Sequence, residues 1–393
     1  MINAMNNIKE LDQKYIANTY ARFPLELVKG EGSLFWDAEG KEYIDMGSGI
    51  AVNTFGACDE GWVEAVEAQL HQLQHTSNLF YTGPCARLAE QLCLRTGMKK
   101  VFFGNSGAEA NECAIKVARK YAAEKKGKEY YKIITLVNSF HGRTITTLAA
   151  TGQEVFHQDF LPLTDGFLYA PANDLEAVKK MVKEEKIAGI LVEPVQGEGG
   201  VLPLTKEFCQ GLQEIADREE ILLMIDEVQT GNGRTGQLYG YMHFGLHPDV
   251  VTTAKGLGGG LPIGACMIGE RAENVLTPGS HGSTFGGNPI AAAGALHILE
   301  RLDDALLAEV REKSAYLFNA FQNAEGIKSV SGMGLMIGLE TARDAGEIVA
   351  ACRKAGVLVL KAKEKVRLLP PLNIPMDLLE KAAGVILAAA KGE

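Results

Sequence analysis

The sequence predicts an α/β fold in which a large domain built on a mostly parallel sheet is followed by a smaller α+β domain. Three observations carry this. Between about 101 and 268, short apolar, β-branched runs alternate with longer stretches of helical period, the pattern of stacked βαβ units. At 393 residues the chain exceeds the roughly 250–300 residues at which a single hydrophobic core stops growing. After Pro289 the alternation gives way to an Ala-rich helical stretch and a different mixture of strands and helices. The expected division is an N-terminal segment, 1–52, packing with the small domain, a large domain at 53–289, and the small domain at 290–393.

Taken in order, residues 36–43 are patterned as a hairpin turning at Glu39-Gly40. The strands expected for the large sheet are 101–103, 132–137, 189–192, 221–225 and 250–253, each followed by a loop with Gly or polar residues. Their near-continuous hydrophobicity fits parallel strands covered on both faces. The helix after the first of them is specified by Ala110, Cys113, Ala114, Val117, Ala118 and Tyr121 at a 3.6-residue period. It starts near Gly107, with Ser106 and Glu109 spaced as a capping box. Beyond Pro289 come an Ala-rich helix, a strand at 335–339, further helix, a strand at 357–360 and a closing helix after Pro375.

Composition narrows the function. With 39 basic and 49 acidic residues the formal net charge is −10, the wrong sign for a generic nucleic-acid binder. The longest uninterrupted apolar run, 382–390, is about half of the roughly 20 residues that cross a bilayer. The first eleven residues lack the apolar segment of a signal peptide, so a cytoplasmic setting is expected. Seven scattered cysteines without a Cys-x-x-Cys pair predict reduced thiols, with neither a disulfide nor a zinc site. Glycine stands out, because 44 residues are roughly 11% against a background of about 7%.

Several motifs invite chemistry. Residues 231–236 match the dinucleotide pattern G-x-G-x-x-G, but the Gln237-Leu238-Tyr239-Gly240 that follows makes a poor helix, and that pattern requires one. His71 and His75 are four apart, yet Gln72 stands where a metalloprotease carries glutamate; Gly245 and Pro248 argue against a helix joining His243 to His247. No metal is required. Ser106-Gly107-Ala108 at a strand-to-helix junction suits an anion, because unbonded N–H groups and the helix dipole point there. Asp226 ends the apolar run 221–225, so its carboxylate belongs at a strand's carboxyl end with low-dielectric surroundings behind it. Lys255 follows the 250–253 strand and precedes a Gly-rich turn, where burial and cationic neighbours would supply a neutral amine nucleophile. An anion cradle, a buried-edge carboxylate and a nucleophilic lysine together match the needs of pyridoxal 5'-phosphate.

These residues and their flanking segments resemble the class III (ω-amino acid) aminotransferases, which are fold-type I pyridoxal-phosphate enzymes. The resemblance runs from about Tyr20 to the C-terminus. It rests on Phe102-Phe103-Gly104-Asn105-Ser106-Gly107-Ala108-Glu109-Ala110-Asn111, Phe140-His141-Gly142-Arg143-Thr144, Val192-Glu193-Pro194-Val195-Gln196-Gly197-Glu198-Gly199-Gly200, Asp226-Glu227-Val228-Gln229-Thr230-Gly231, Thr252-Thr253-Ala254-Lys255 and Gly282-Ser283-Thr284-Phe285-Gly286-Gly287-Asn288-Pro289, in family order. It implies that Lys255 holds the cofactor covalently and, once displaced, shuttles a proton between two carbons, while Asp226 keeps the pyridine nitrogen protonated. Phe140 and Val228 would cover the two ring faces and Gln229 the ring oxygen. Ser106, Gly107 and Ala108 would bind the phosphate, completed by Thr284 from the partner subunit of a homodimer with shared sites.

On the substrate side the resemblance assigns Arg143, Glu198, Arg367 and Ser283. Arg143 would take a substrate carboxylate in bidentate geometry. Glu198 would neutralise Arg367 while the amine donor is bound and swing away when 2-oxoglutarate arrives. The members that match best imply transfer of the δ-amino group of N2-acetyl-L-ornithine to 2-oxoglutarate, giving N-acetyl-L-glutamate 5-semialdehyde and L-glutamate in arginine biosynthesis. Ornithine, succinylornithine, 4-aminobutyrate and succinyl-diaminopimelate are the alternative donors; a nicotinamide-dependent dehydrogenase resting on 231–236 is the alternative of another class. The chain departs from its relatives at Gly56-Ala57-Cys58-Asp59-Glu60, where they read Gly-His-x-His-Pro, at Arg22, at Phe285 and along 361–365.

Overall fold

The computed structural model describes residues 8–393. Its central sheet has seven strands in the order Lys100–Gly104, Gly264–Ile268, Val250–Thr253, Leu222–Asp226, Ile187–Val192, Lys132–Leu136, Phe167–Ala170. Gly264–Ile268 runs antiparallel to both neighbours, and the other adjacent pairs of this sheet are parallel. The five strands expected from the sequence are present within one or two residues of their predicted bounds. Two were not foreseen. Phe167–Ala170 is a four-residue, half-buried edge, and Gly264–Ile268 follows a Gly-rich turn and carries a single β-branched residue. The hydrogen bonds offered by neighbouring strands, rather than local propensity, make them strands.

Alternation along the strands sorts the core into two layers. Leu222, Met224, Val250, Cys266 and Ile268 pack with Ala114, Val117, Ala118 and Tyr121 of the helix Gly107–Lys125. Leu223, Ile225, Val251, Ala265 and Met267 face the opposite way, into the larger cluster. Each fully buried Leu or Ile side chain stabilises the fold by about 1.5–3 kcal/mol relative to exposure. The parity also decides chemistry: Asp226 continues the 222, 224 series, so its carboxylate faces the same helix.

The hairpin forms as predicted, Leu34–Asp37 pairing antiparallel with Glu42–Asp45, and Asp37 Oδ1 accepts the Glu39 and Lys41 N–H groups of the turn at 3.0 and 2.9 Å. Leu27–Glu31 adds on one side and Val357–Leu358 joins in parallel on the other. The strand expected at 357–360 therefore divides, because Leu360–Ala362 pairs instead with Lys365–Leu368 in a third sheet. That sheet contains the hairpin Ile327–Met333 and Met336–Thr341, flanked by the helices Ala345–Lys354 and Met376–Lys391. No helix among the described residues is long and apolar enough to cross a membrane.

The segment 56–60 acquires a local explanation. Asp59 caps the helix Glu60–Leu70 by accepting from Trp62 N at 3.1 Å and pairs with Arg301 at 2.5 Å. The 231–236 run is a turn with Gly233 and Gly236 at φ 84° and 85°, and only the short 3₁₀ segment Gly240–Phe244 follows. A dinucleotide-binding helix is thus absent there. His71 ends a helix at Leu70 and His75 lies beyond it, so the two do not share a helical face.

Gly264 sits where strand and loop meet most closely: a Cβ there would lie 2.2 Å from the Ser106 carbonyl oxygen and 2.7 Å from its carbon. Gly264→Ala is expected to lower the unfolding free energy by about 1–3 kcal/mol, as overpacking does. Urea unfolding checks this, and an unchanged midpoint would mean that the Ser106 loop yields freely.

Candidate active site

Loops leaving the carboxyl ends of five strands converge on a cavity of about 420 Å³. This is where open α/β sheets present ligand sites. Of the residues singled out in the sequence, Ser106, Gly107, Ala108, Phe140, Arg143, Asp226, Val228, Gln229 and Lys255 line it together.

One wall is the start of the helix Gly107–Lys125. Ser106 is its N-cap, with Oγ accepting from Glu109 N at 3.1 Å. The capping box is only half made. Glu109 reaches past Ser106 and takes the Asn105 backbone N–H and, at 2.9 Å, the Asn105 side-chain amide. First-turn N–H groups have no partner within their helix, so those of Gly107 and Ala108 are available to an anion in the cavity. Gly107 is required by space, since a Cβ would stand 2.6 Å from Val228 Cγ1.

Asp226 is 3% exposed and fully engaged. Oδ2 accepts from Asn111 Nδ2 at 2.7 Å and faces His141 Nδ1 at 2.8 Å; Oδ1 accepts from Val228 N at 3.0 Å. An acceptor oxygen opposite Nδ1 selects the imidazole tautomer or charge state that carries a proton there. Asn111 is fixed in turn, its Nδ2 donating to His141 O at 2.8 Å and its Oδ1 accepting from Thr252 Oγ1 at 2.7 Å. Asn111 and His141 were quoted in motifs without a role. Their signal was Asn111's place on the apolar face of its helix. Glu193 was missed too, although it follows a buried strand just as Asp226 ends one. It accepts from Phe140 N at 2.9 Å and Gly197 N at 3.3 Å, and burial, reinforced by the charge of Asp226, raises its pKa well above the usual carboxylate range.

Lys255 holds a left-handed backbone, φ 45°, uncommon for a residue with a side chain. Burial lowers its pKa below the ordinary 10.5, opposed by the negative charges of Glu198, Asp226 and Glu193 and assisted by Arg367. Glu198 and Arg367 do not line this cavity but pair beside it at 2.5 Å. Gln229 bridges them, donating to Glu198 Oε1 at 3.4 Å and accepting from Arg367 Nη1 at 3.2 Å. Burial pushes the Glu198 pKa up, and the charge and hydrogen bond of Arg367 outweigh it, leaving the carboxyl below its usual value. Arg143 is exposed at the cavity mouth, stacked 4.0 Å from the Phe156 ring centroid and 5.5 Å from that of Phe140; among the described residues it has no ion-pair partner. Ser283 and Thr284 lie outside the cavity wall. Ser283 Oγ accepts from Asn105 Nδ2 at 3.2 Å, and Thr284 is exposed. No cluster of three or more His, Cys, Asp or Glu side chains suited to a metal occurs among the described residues.

Comparison with known proteins gives the family of the chain. The family model described as "Aminotransferase class-III" matches residues 15–389. The chain belongs to the class III aminotransferases. An acetylornithine aminotransferase from Haemophilus ducreyi is 52% identical over 97% of this chain and 98% of its own length. A succinylornithine transaminase from Citrobacter koseri is 45% identical over 96% and 95%. The crystal structure of ornithine aminotransferase from Toxoplasma gondii superposes with a TM-score of 0.94 at 32% identity, covering 98% of this chain and 94% of that one.

Class III aminotransferases use pyridoxal 5'-phosphate, and the cavity fits it. A free helix N-terminus suits the phosphate, a buried carboxylate the ring nitrogen and a lysine the aldehyde, while Val228 and Phe140 are the apolar side chains that would flank a flat ring.

Because the native lysine releases its proton at lower pH than the unfolded one, the unfolded chain holds more protons between the lowered native pKa and 10.5, and stability rises with pH across that window. The cofactor-free protein should therefore lose stability relative to Lys255→Met as pH falls from about 10.5, levelling off below the native value. Urea unfolding across that range measures it; a pH-independent difference would contradict burial as the cause.

Proposed function

We propose that this enzyme moves the δ-amino group of N2-acetyl-L-ornithine to 2-oxoglutarate, yielding N-acetyl-L-glutamate 5-semialdehyde and L-glutamate in arginine biosynthesis, in the cytoplasm. The supporting observation is the pair of guanidinium groups around Lys255. Arg143 stands open at the mouth, whereas Arg367 is masked by Glu198. A donor whose reacting end is an amine and whose far end is a carboxylate suits the masked state, with Arg143 taking the carboxylate. A dicarboxylic oxo acid needs a second cation, which Arg367 supplies once Glu198 withdraws.

When bound, pyridoxal phosphate supplies an electron-withdrawing ring that acidifies the C–H bond beside the transferred nitrogen. The chain's own groups do the rest. Lys255 Nζ would hold the cofactor and, once freed by substrate, would take the proton from one carbon and return it to another. The Asp226 carboxylate, held by Asn111 and His141, would keep the ring nitrogen protonated. Phe140 and Val228 would flank the ring, Gln229 would meet the ring oxygen, and Ser106, Gly107 and Ala108 would hold the phosphate.

We also infer a homodimer in which Thr284 and Ser283 serve the partner's cavity. Their position outside this chain's own cavity supports it, as does the exposure of Leu79, Phe80, Tyr81, Ile145 and Phe285. A division at 1–52, 53–289 and 290–393 is part of the same reading, supported by the pairing of Val357–Leu358 with Glu42–Asp45.

Two experiments test this. Half-reactions of the holoenzyme with N-acetylornithine, succinylornithine, ornithine, 4-aminobutyrate and succinyl-diaminopimelate, followed by cofactor absorbance, should give the highest second-order rate constant with N-acetylornithine. A better donor would replace it in the assignment. Lys255→Ala should retain the fold and lose turnover, and Arg143→Ala should raise KM for both substrates at least about tenfold, the loss of a charge-assisted contact worth 1.4 kcal/mol or more. Normal KM values in Arg143→Ala would remove its carboxylate role.

A further inference from the structure

The Gly-rich turn at 231–236, left without a role once dinucleotide binding is set aside, carries a buried cation. Arg234 is 3% exposed and has no carboxylate within ion-pairing distance among the described residues. Its guanidinium is spent on three other chain segments. Nη1 donates to Leu335 O at 3.1 Å and to Pro370 O at 2.5 Å, and Nη2 reaches Ser48 Oγ at 3.5 Å. Its own carbonyl accepts from Leu335 N at 2.9 Å. Burial pulls its pKa down to about 9, with Asp45 pushing back. Burying a guanidinium without a carboxylate partner is costly, and the hydrogen bonds to these carbonyls offset only part of that cost.

Each segment it holds leads to the active site. Pro370 lies three residues past Arg367, whose strand Lys365–Leu368 pairs through Gly338 with the strand that begins one residue after Leu335. Ser48 opens a turn in which Ser48, Gly49, Ile50 and Ala51 take φ of 43°, 65°, 63° and 60°. Left-handed backbone is disfavoured for side-chain-bearing residues, so such a turn persists only when held from outside. Ser48 Oγ donates to Leu369 O at 2.6 Å, Asp45 Oδ1 accepts from the N–H groups of Gly47 and Ser48 at 2.9 Å, and the turn delivers Val52 to the cavity wall.

We propose that Arg234 is a positioning residue for the oxo-acid substrate: by tying Leu335, Pro370 and Ser48 together, it sets where Arg367 presents its guanidinium and where Val52 bounds the cavity. The choice of arginine follows, because a planar fork of donors can serve separate acceptors in fixed directions, whereas an ammonium is a compact point charge. The proposal rests on the reading of Arg367 as a carboxylate binder, and the test separates the two.

Arg234→Lys, Arg234→Met, Ser48→Ala and Arg367→Lys are compared as holoenzymes in the two half-reactions, with thermal unfolding alongside. In Arg234→Lys the concentration of 2-oxoglutarate at half-saturation should rise about tenfold or more, with the limiting rate within about threefold of the parent and the cofactor spectrum unchanged, the pattern of lost substrate binding. Ser48→Ala, which removes one acceptor, should show a smaller rise in the same direction and keeps the test open should Arg234→Met fail to fold. A lowered unfolding midpoint with unchanged half-saturation in both Arg234→Lys and Ser48→Ala would reduce Arg234 to scaffold and overturn the proposal. If Arg367→Lys raises half-saturation and Arg234→Lys does not, this proposal alone falls. If Arg367→Lys has no effect, the reading of Arg367 falls and this proposal with it.

Discussion

The carboxylate of Asp226, ending a fully buried strand and gripped by three donors, is the constraint around which the site is arranged. A charge in that position would be expensive if left unpaired, and Asn111, His141 and the Val228 N–H satisfy it. The requirement propagates outward. Asn111 needs Thr252 to orient its amide, which ties the helix Gly107–Lys125 to the strand that leads into Lys255. His141 brings Phe140 with it, and the Phe140 N–H is held by Glu193 from the next strand. One buried carboxylate thus sets the register of three loops, and the cavity between them is the space that register leaves.

Around this rigid centre the molecule holds backbone in conformations that side chains resist. Lys255 is left-handed, and so are four consecutive residues from Ser48 to Ala51. The two are joined: Thr54 Oγ1 donates to Gly256 O at 2.7 Å, and Asn232 Nδ2 donates to Thr253 Oγ1 and Ala254 O at 2.9 and 3.2 Å. The turn bearing Asn232 and Arg234 is therefore the point from which both strained segments are fixed. Strain of this kind survives only where surrounding contacts over-determine it, and here the contacts are polar, directional and buried.

Much of this was legible beforehand. Buried parallel strands announce themselves as continuous apolar runs, and Asp226 and Lys255 were readable as the polar residues that end them. The helix after Gly104 was readable from its period and its cap. What escaped has a common character. Gly264–Ile268 has little β propensity and is a strand because two neighbours supply hydrogen bonds. The 357–360 run divides at Val359 because two sheets compete for it. Glu109 bonds Asn105 rather than closing its box.

The sequence by itself determined the βαβ order, the residues at the strand ends and, through motif resemblance, the family, since these depend on patterns within a few turns of chain. Only the tertiary structure decided that Asn111 and His141 serve Asp226, that Gln229 touches both members of the Glu198–Arg367 pair, and that Arg234 gathers segments each more than a hundred residues from itself. Those contacts depend on distances across the fold, and no local propensity encodes which buried donor will meet which buried acceptor.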